Sequence, residues 1–324
     1  MTFKFRQRPI LAVLFLVFSL WCWQVFWWRH QAVQVTWFQI KNIMGSLSTH
    51  ERLEWGAICN GLEDFTCASS VFAELLEAQP GHRLALSNYA IAEARRQNCT
   101  KALQLFETYR AGGQEGPETL YWGGRCLLQL KRHDEARLSF YLSTSLSPDA
   151  TEAPEALVDL LFKQGLREEA LSVVAALTEG RPSRSDRWRE KFSELILRQK
   201  VKEAEIGVSS VAGRRALRVP CLDGQNFWMP VKLSAEASPD FVTIDLEQSG
   251  VTLNEEQLLQ RTPAKVDGDS LTLSALQIGP WLFKNIDYSI CHNCKSVIGR
   301  SLLDHFEVSE DMEASIRFLI LTPN

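Results

Sequence analysis

The stretch from Phe65 to Pro80, FTCASSVFAELLEAQP, contains residues that return along the chain at intervals of 34 positions. The recurring sets share this period or a multiple of it: Ala68, Ala102, Ala136 and Ala170; Phe72, Phe106, Phe140 and Val174; Pro80, Pro148 and Pro182; and Gly56 and Gly124. A fixed period in the range of roughly 20–50 residues indicates stacked copies of one structural unit. The sequence therefore predicts an α-solenoid built from repeated helix pairs.

This spacing resembles that of the tetratricopeptide repeat, whose paired helices touch at a small residue, enclose an aromatic residue and end at a proline. The resemblance implies repeats at about 49–82, 83–116, 117–150 and 151–184. The second repeat lacks the terminal proline and contains the loop AGGQEGP at Ala111–Pro117. An amphipathic capping helix is predicted over residues 185–200, with an apolar face formed by Trp188, Phe192, Leu195 and Ile196.

In proteins of this family, the first helix of each repeat lines a concave groove that binds peptides or partner proteins. Aligning the chain with the repeat pattern implies that this groove contains Arg95, Tyr121, Arg125, Gln129, Asp159 and Lys163. For each of these residues the alternative is an ordinary solvated position on a helix. The resemblance thus predicts a protein or peptide partner.

An uncharged apolar run extends from Ile10 to Trp28 and is close to the length of about 20 residues that a helix needs to cross a bilayer. Three basic residues, Lys4, Arg6 and Arg8, precede it, and the positive-inside rule places that end in the cytoplasm. Bulky tryptophans fill the far end, where a signal-peptidase site needs small residues. We expect a single-pass inner-membrane anchor with the rest of the chain in the periplasm of a Gram-negative host. A cleaved secretory signal and a lipoprotein signal ending at Cys22 are the alternatives.

Cysteine usage agrees with an oxidising compartment, because seven cysteines follow Cys22. The repeat pattern brings two pairs into reach, and the predicted disulfides there are Cys59–Cys67 and Cys99–Cys126. A zinc site is the rival, although the doubled CxxC that would favour it is missing from the sequence. Cys291 and Cys294 are predicted to form a structural disulfide, with a redox pair or half of a metal site as alternatives. Cys221 is then left as a free thiol or as an intermolecular partner.

The residue pattern of the sequence changes after Lys202. Residues 201–219 are expected to form a linker, and residues 220–324 a small, mostly β domain. Short alternating segments rich in β-branched and aromatic residues predict its strands. They lie at 227–233, 241–246, 271–279, 281–290 and 315–323, with short helices near 254–260 and 299–306.

Two motifs in this domain resemble the retropepsin-like aspartic proteases in their bacterial membrane-associated branch. The first is FVTIDLEQSGVTLNEEQL, which begins at Phe241 and places Asp245 at the catalytic aspartate of that family. The second is VIGRSLLDHF around Gly299. A domain of this size supplies one aspartate, so the resemblance implies that a catalytic pair of carboxylates would require a homodimer.

The most diagnostic tripeptide of the aspartic protease motif is altered. Leu246 and Glu247 occupy the positions of the family's threonine and glycine, and Ser249 completes the motif. Leucine lacks the hydroxyl that ties the two active-site loops together, and a second carboxylate disturbs the shared proton. We therefore expect a degenerate site in which Asp245 is a remnant, with a functional variant as the alternative.

The predicted organisation is a cytoplasmic tip and anchor over 1–30, a juxtamembrane linker over 31–48, repeats with their capping helix over 49–200, a linker over 201–219 and the β domain over 220–324. The net charge of −4 gives no reason to expect nucleic acid binding. We expect no cofactor and no metal. The favoured function is a membrane-anchored scaffold whose retropepsin-like domain is non-catalytic and binds peptide or dimerises. The alternatives are a tethered aspartic endopeptidase using Asp245 and, more remotely, thiol redox chemistry at Cys291 and Cys294.

Overall fold

Antiparallel helix pairs make up the first half of the described chain. The computed structural model describes residues 19–20, 33–113, 115–178, 188, 190, 192–193, 210–211, 214–222, 225–233, 240–255, 272–273, 276–278, 281–284, 286–292 and 294–324. Helix α1 is described over residues 33–43. The repeat helices are α2 (Thr49–Gly61), α3 (Phe65–Ala78), α4 (Arg83–Arg95), α5 (Cys99–Ala111), α6 (Pro117–Gln129), α7 (His133–Leu146), α8 (Glu152–Lys163) and α9 (Arg167–Thr178).

The residues that define the sequence period form the contacts within each pair. The recurring alanines and aromatic residues are all buried, with Ala68, Ala102, Ala136 and Ala170 completely so. A small residue lets the two helices approach, and the ring one turn later fills the space between them. The predicted α-solenoid is therefore confirmed in the described chain.

The two helices of each pair join through a short turn whose middle residue has a positive φ. These residues are again 34 apart in the sequence: Glu63 (φ 59°), Gln97 (65°), Lys131 (60°) and Gly165 (76°). At the first turn, the N–H of Glu63 donates to the carbonyl of Asn60, and the N–H of Asp64 donates to that of Cys59. This is the Schellman arrangement, which satisfies carbonyls left open at a helix end.

Contacts divide the chain into two compact units. The first comprises Met1–Glu115 and Arg125–Leu130, and the second comprises Gly116–Gly124 and Lys131–Asn324. The core of the first unit contains Phe38, Trp55, Cys59, Ala68, Val71, Phe72, Leu75, Ala85, Tyr89 and Ala92. In the second unit, α9 contacts α8 on one side and the strands β3 and β4 (defined below) on another. Every residue of α9 from Glu169 to Thr178 is buried, as expected for a helix covered on several sides.

The C-terminal region is β-rich, as predicted. The strands are β1 (Ser210–Val211), β2 (Arg214–Arg215), β3 (Leu217–Cys221), β4 (Phe227–Lys232), β5 (Asp240–Ile244), β6 (Val251–Asn254), β7 (Thr272–Leu273), β8 (Leu276–Ile278), β9 (Trp281–Phe283), β10 (Ile286–Cys291), β11 (Val297–Ile298), β12 (Phe306–Glu313) and β13 (Ile316–Pro323). One short helix, α10 (Arg300–Leu303), follows β11. The predicted helix near 299–306 is thus shorter, because Phe306 already pairs with Pro323 as the first residue of a strand.

Two sheets enclose the core of this region. A mixed sheet has the order β7-β10-β6-β11-β5-β4-β8-β9, and a three-stranded antiparallel sheet has the order β12-β13-β3. In the mixed sheet β10 runs parallel to β6, and β11 runs parallel to β5. The core between them includes Val219, Met229, Ile278, Ile298 and Leu321. Strand β3 begins at Leu217, within the stretch that the sequence assigns to a linker, and pairs with β13.

Some predicted features fall largely outside the described residues. Of the capping helix over 185–200, Trp188 and Phe192 are described and buried, and their rings stack with centroids 5.2 Å apart. The predicted anchor over 10–28 lies outside the described residues except for Ser19 and Leu20. Within the described ranges, no helix combines the length and the apolar character needed to cross a membrane.

Candidate functional site

The loop that follows β5 carries the candidate aspartate. Asp245 stands directly after Ile244, and its N–H donates to the carbonyl of Ile298 in β11 at 3.1 Å. Strands β5 and β6, which this loop joins, do not pair with each other, because β11 lies between them. The topology thereby brings together the two motifs around Asp245 and Gly299, which are far apart in the sequence.

The backbone that opens α10 holds this loop in place. The N–H groups of Gly299, Arg300 and Ser301 donate to the carbonyls of Gly250, Gln248 and Ser249 at 3.1, 2.7 and 2.9 Å. A Cβ atom at position 299 would lie 2.5 Å from the carbonyl oxygen of Gly250 and closer still to that of Gln248. Glycine is therefore required here for close approach of two backbones.

The side chains of the loop point toward solvent. Asp245, Glu247 and Ser249 are exposed, and Leu246 is 40% exposed. One carboxylate oxygen of Asp245 accepts a hydrogen bond from the N–H of Glu247 at 2.9 Å. A single chain thus presents one aspartate at position 245 with a second acidic residue two positions later. The hydroxyl that the family's threonine would supply has no counterpart on Leu246.

Behind the loop, polar side chains link it to neighbouring strands. The side-chain amide of Gln248 donates to the hydroxyl of Thr252 at 2.5 Å, and this hydroxyl lies 3.0 Å from that of Ser289 in β10. Thr243 in β5 is buried, and its hydroxyl donates to the carbonyl of Ser296 at 3.2 Å. The position of the Asp245 loop therefore depends on hydrogen bonds to β6, β10 and β11.

The predicted groove residues of the first unit are Arg95, Arg125 and Gln129. The guanidinium of Arg95 lies 3.8 Å from the carboxylate of Glu63 and 4.3 Å from the ring centroid of Phe65. Arg125 and Gln129 are exposed. Arg95 thus packs against the turn of its neighbouring repeat, while Arg125 and Gln129 lie at the surface.

The predicted groove residues of the second unit are Tyr121, Asp159 and Lys163. Tyr121 is half-buried, with its ring 6.1 Å from that of Phe140. Asp159 and Lys163 form an ion pair of 2.5 Å one helical turn apart. Such an exposed pair contributes little to stability, so its groups are available to a charged partner at small cost.

The six predicted disulfide cysteines lie in bonded pairs. The Cα atoms are 5.8 Å apart in Cys59–Cys67, 4.9 Å apart in Cys99–Cys126 and 6.0 Å apart in Cys291–Cys294. The last pair ties the end of β10 to the segment before β11, where the carbonyl of Cys294 accepts a bond from the Asn254 side chain at 2.7 Å. Cys221 is buried in β3. Among the described residues, no group of three or more His, Cys, Asp or Glu side chains could hold a metal ion.

The first unit contains a buried acid that was not predicted from the sequence. Glu93 in α4 is completely buried and accepts hydrogen bonds from the hydroxyl of Ser69 and from Asn98, while Arg96 lies 3.0 Å away and Lys101 3.7 Å away. Burial raises its pKa, but the two hydrogen bonds and the two cations outweigh this effect, so the pKa lies below its ordinary value. The sequence signal is a glutamate within an otherwise apolar helix face followed by Arg, Asn and Lys.

A second buried acid lies in the second unit. Glu169 in α9 is 3% exposed and accepts a hydrogen bond of 2.8 Å from the hydroxyl of Tyr141. Burial raises the pKa of Glu169, and the charges of Arg218 and Arg137 offset this only in part. The ring of Tyr141 also makes an edge contact with Phe318 of β13, at a centroid distance of 5.3 Å. These residues join helices α7 and α9 to the β sheet within one unit.

A comparison with protein families supports the helical region. A family model described as the tetratricopeptide repeat matches residues 61–118 and 99–151. Residues 61–151 are tetratricopeptide repeats. No curated protein matches the chain.

Parts of the chain are also similar to solved structures. MamA from Desulfovibrio magneticus RS-1, from its residue 41 onward, has 16% identity and a TM-score of 0.38, over 41% of this chain and 75% of its own. The TPR domain of Arabidopsis OM64 has 18% identity and a TM-score of 0.33, over 35% and 93%. A retropepsin-like aspartic protease from Rickettsia conorii has 21% identity and a TM-score of 0.26, over 34% and 92%. Similarities at this level show nothing about what the chain binds or cleaves.

Proposed function

We propose that this protein is a membrane-anchored periplasmic scaffold. Its tetratricopeptide repeats bind a protein or peptide partner, and its β domain is a non-catalytic relative of the retropepsins that binds peptide or dimerises. The apolar run over 10–28 and the basic residues before it support the anchor. The observation that carries the proposal is an intact set of repeats beside an altered aspartic protease loop.

The repeats support the binding role because their own core is complete without the groove residues. Each recurring alanine and aromatic residue is buried within a helix pair, whereas Arg125 and Gln129 are exposed. Repeat proteins bury their apolar faces against neighbouring repeats and use a concave surface for recognition. Exposed arginine and amide side chains on such a surface can bind carboxylates and backbone groups of a peptide.

The loop at Asp245 supports the non-catalytic role. Aspartic proteases activate a water between two carboxylates that share one proton. In a homodimer, the loops would bring two copies of Asp245 together with two copies of Glu247. Four carboxylates in one small site would favour additional protons or mutual repulsion over a single shared proton. Leu246 has no hydroxyl with which to hold the two loops in register.

A proteolysis assay tests this proposal. The full chain in detergent is incubated with an unfolded protein substrate between acidic and neutral pH, beside Asp245→Asn. This variant is a matched control, because the asparagine oxygen can still accept the bond from the N–H of Glu247. We expect no cleavage by either protein. Cleavage by the wild type and none by Asp245→Asn would instead establish the alternative, a tethered aspartic endopeptidase whose repeats recruit substrate.

A further inference from the structure

Helix α1 has one face that belongs to the first unit. Phe38 is 6% exposed and stacks on Trp55 of α2, with ring centroids 6.4 Å apart. Val35 packs against the same core, one helical turn earlier. The side chain of Lys41 forms an ion pair with Glu51 of α2. The orientation of α1 on the first repeat is therefore set by both apolar and charged contacts.

The opposite face of α1 is apolar and exposed. It presents Val33 (68% exposed), Trp37 (56%), Ile40 (47%) and Met44, just past the helix (69%). Spacings of four, three and four residues place these side chains in one line along the helix, here called the outer stripe. Ile43, 87% exposed, lies beside it. A contiguous apolar surface that is exposed to solvent indicates a binding surface.

The outer stripe begins a short distance along the chain from the apolar run. Trp28 ends that run, and only residues 29–32 separate it from Val33. Five residue steps of at most about 3.6 Å each span no more than about 18 Å. If the run crosses a bilayer, α1 therefore begins within about 18 Å of the end of the run, which is near enough for α1 to lie on the membrane surface.

The composition of α1 fits a position on that surface. Its eleven described residues extend about 16 Å, so the outer stripe can contact lipid along that length. Tryptophan favours the membrane–water boundary, and aliphatic side chains beside it enter the acyl region. The ammonium of Lys41, which pairs with Glu51, also lies 5.9 Å from the ring centroid of Trp37, so it stands at the border between the two faces of α1.

We propose that the outer stripe binds the lipid bilayer and holds the first repeat against the membrane. This inference rests on the proposed anchor. It adds a fixed orientation, because α1 is packed on the first repeat by its inner face and on lipid by its outer face. The repeats would then start from the membrane surface instead of moving on a flexible tether.

The test measures the fluorescence of Trp37 in vesicles. The full chain is reconstituted into phosphatidylcholine–phosphatidylglycerol vesicles with either ordinary or brominated acyl chains, which quench nearby tryptophans. Flotation after an alkaline wash first reports whether the chain is integral, and failure at this step means that the anchor is wrong. The emission of Trp37→Phe, which keeps the stripe apolar, is then subtracted from that of the wild type. Trp122→Phe is the matched control, because Trp122 lies in the third repeat.

We expect the Trp37 component to lose most of its intensity in brominated vesicles, while the Trp122 component stays unchanged. An integral chain with an unquenched Trp37 component would overturn the inference. Changing both Ile40 and Met44 to serine provides a second test, since it removes two of the apolar side chains while leaving the inner face intact. Recovery of Trp37 emission in this variant supports binding through the stripe, and equal quenching before and after the change contradicts it.

Discussion

Gly56 in α2 offers a quantitative test of how tightly a helix pair is packed. A Cβ atom at this position would lie 2.6 and 2.9 Å from two ring carbons of Phe72 and closer still to the ring tip. Real Cβ atoms do not approach this closely, so Gly56→Ala must displace a ring that is completely buried. Overpacking of a well-packed core costs about 1–3 kcal/mol, and the short contacts place this site near the upper end.

Alanine also forms helices better than glycine, and this offsets about 1 kcal/mol of the cost. The expected net loss for Gly56→Ala is therefore about 2 kcal/mol in the free energy of unfolding. Gly61 in the same helix is the matched control, because a Cβ there would meet nothing within 4 Å. Gly61→Ala should be neutral or stabilising by up to about 1 kcal/mol.

The assay is urea unfolding of both variants, monitored by circular dichroism. A double variant that combines Gly56→Ala with Phe72→Leu should be more stable than the sum of the two single changes predicts, by about 1 kcal/mol or more. The smaller, flexible leucine leaves room for the new methyl group. Equal stabilities of Gly56→Ala and Gly61→Ala would refute the reasoning, because they would show that the ring moves without cost.

Three further predictions concern the turns and the two buried acids. Lys131→Gly should raise the free energy of unfolding by up to about 1 kcal/mol, and Gly165→Ala should lower it by about as much, because both positions have a positive φ. Urea unfolding measures both changes. Changes in stability of opposite sign would support the prediction, and changes of the same sign would contradict it. Burial raises the pKa of Glu169, so the contribution of this residue to stability is fully present below the pKa of an unfolded glutamate, about 4.3, and is lost as pH rises through the folded pKa. Glu169→Gln should lack this decline when urea midpoints are measured against pH. Glu93 has a lowered pKa, so its contribution to stability is lost at acidic pH. The variant Glu93→Gln should not show this acidic loss. If both variants have the same dependence of stability on pH as the wild type, the roles given to the two acids are wrong.

The helical region could be predicted from the sequence because its contacts are local. Alanine and phenylalanine four positions apart, such as Ala68 and Phe72, occupy one face of a helix, and the partner helix follows after a short turn. The period of 34 therefore encodes the core almost directly. The turn residues Glu63, Gln97 and Lys131 escaped notice, because nothing in their side chains marks a left-handed conformation.

The β region was predicted less completely. Strand β12 has the sequence FEVSEDME, which is acidic and largely exposed, and it lacks the apolar alternation that indicates a strand. It forms because β13 supplies eight paired positions beside it. Strand β3 similarly begins within the predicted linker, and its pairing with β13 depends on residues about a hundred positions away.

The candidate site was also predicted only in part from the sequence. The resemblance of two motifs pointed to Asp245 and Gly299. These two residues lie close together in the fold because β11 lies between β5 and β6. Arg96, Asn98 and Lys101 follow Glu93 closely in the sequence. Its partner Ser69, and the partner Tyr141 of Glu169, could not be predicted, because they come from other helices that meet these acids only after folding.

By itself, the sequence determined the repeat period, the residues that fill each helix pair and the change from a helical to a β region. These are properties of spacing, since a helix or strand places its own side chains on faces at a fixed interval. The tertiary structure alone decided the strand order, the close approach at Gly299, the environments of the buried acids and the exposure of the outer stripe. Each of these depends on which distant backbone or side chain fills the space nearby, and that is set by the packing of the whole unit.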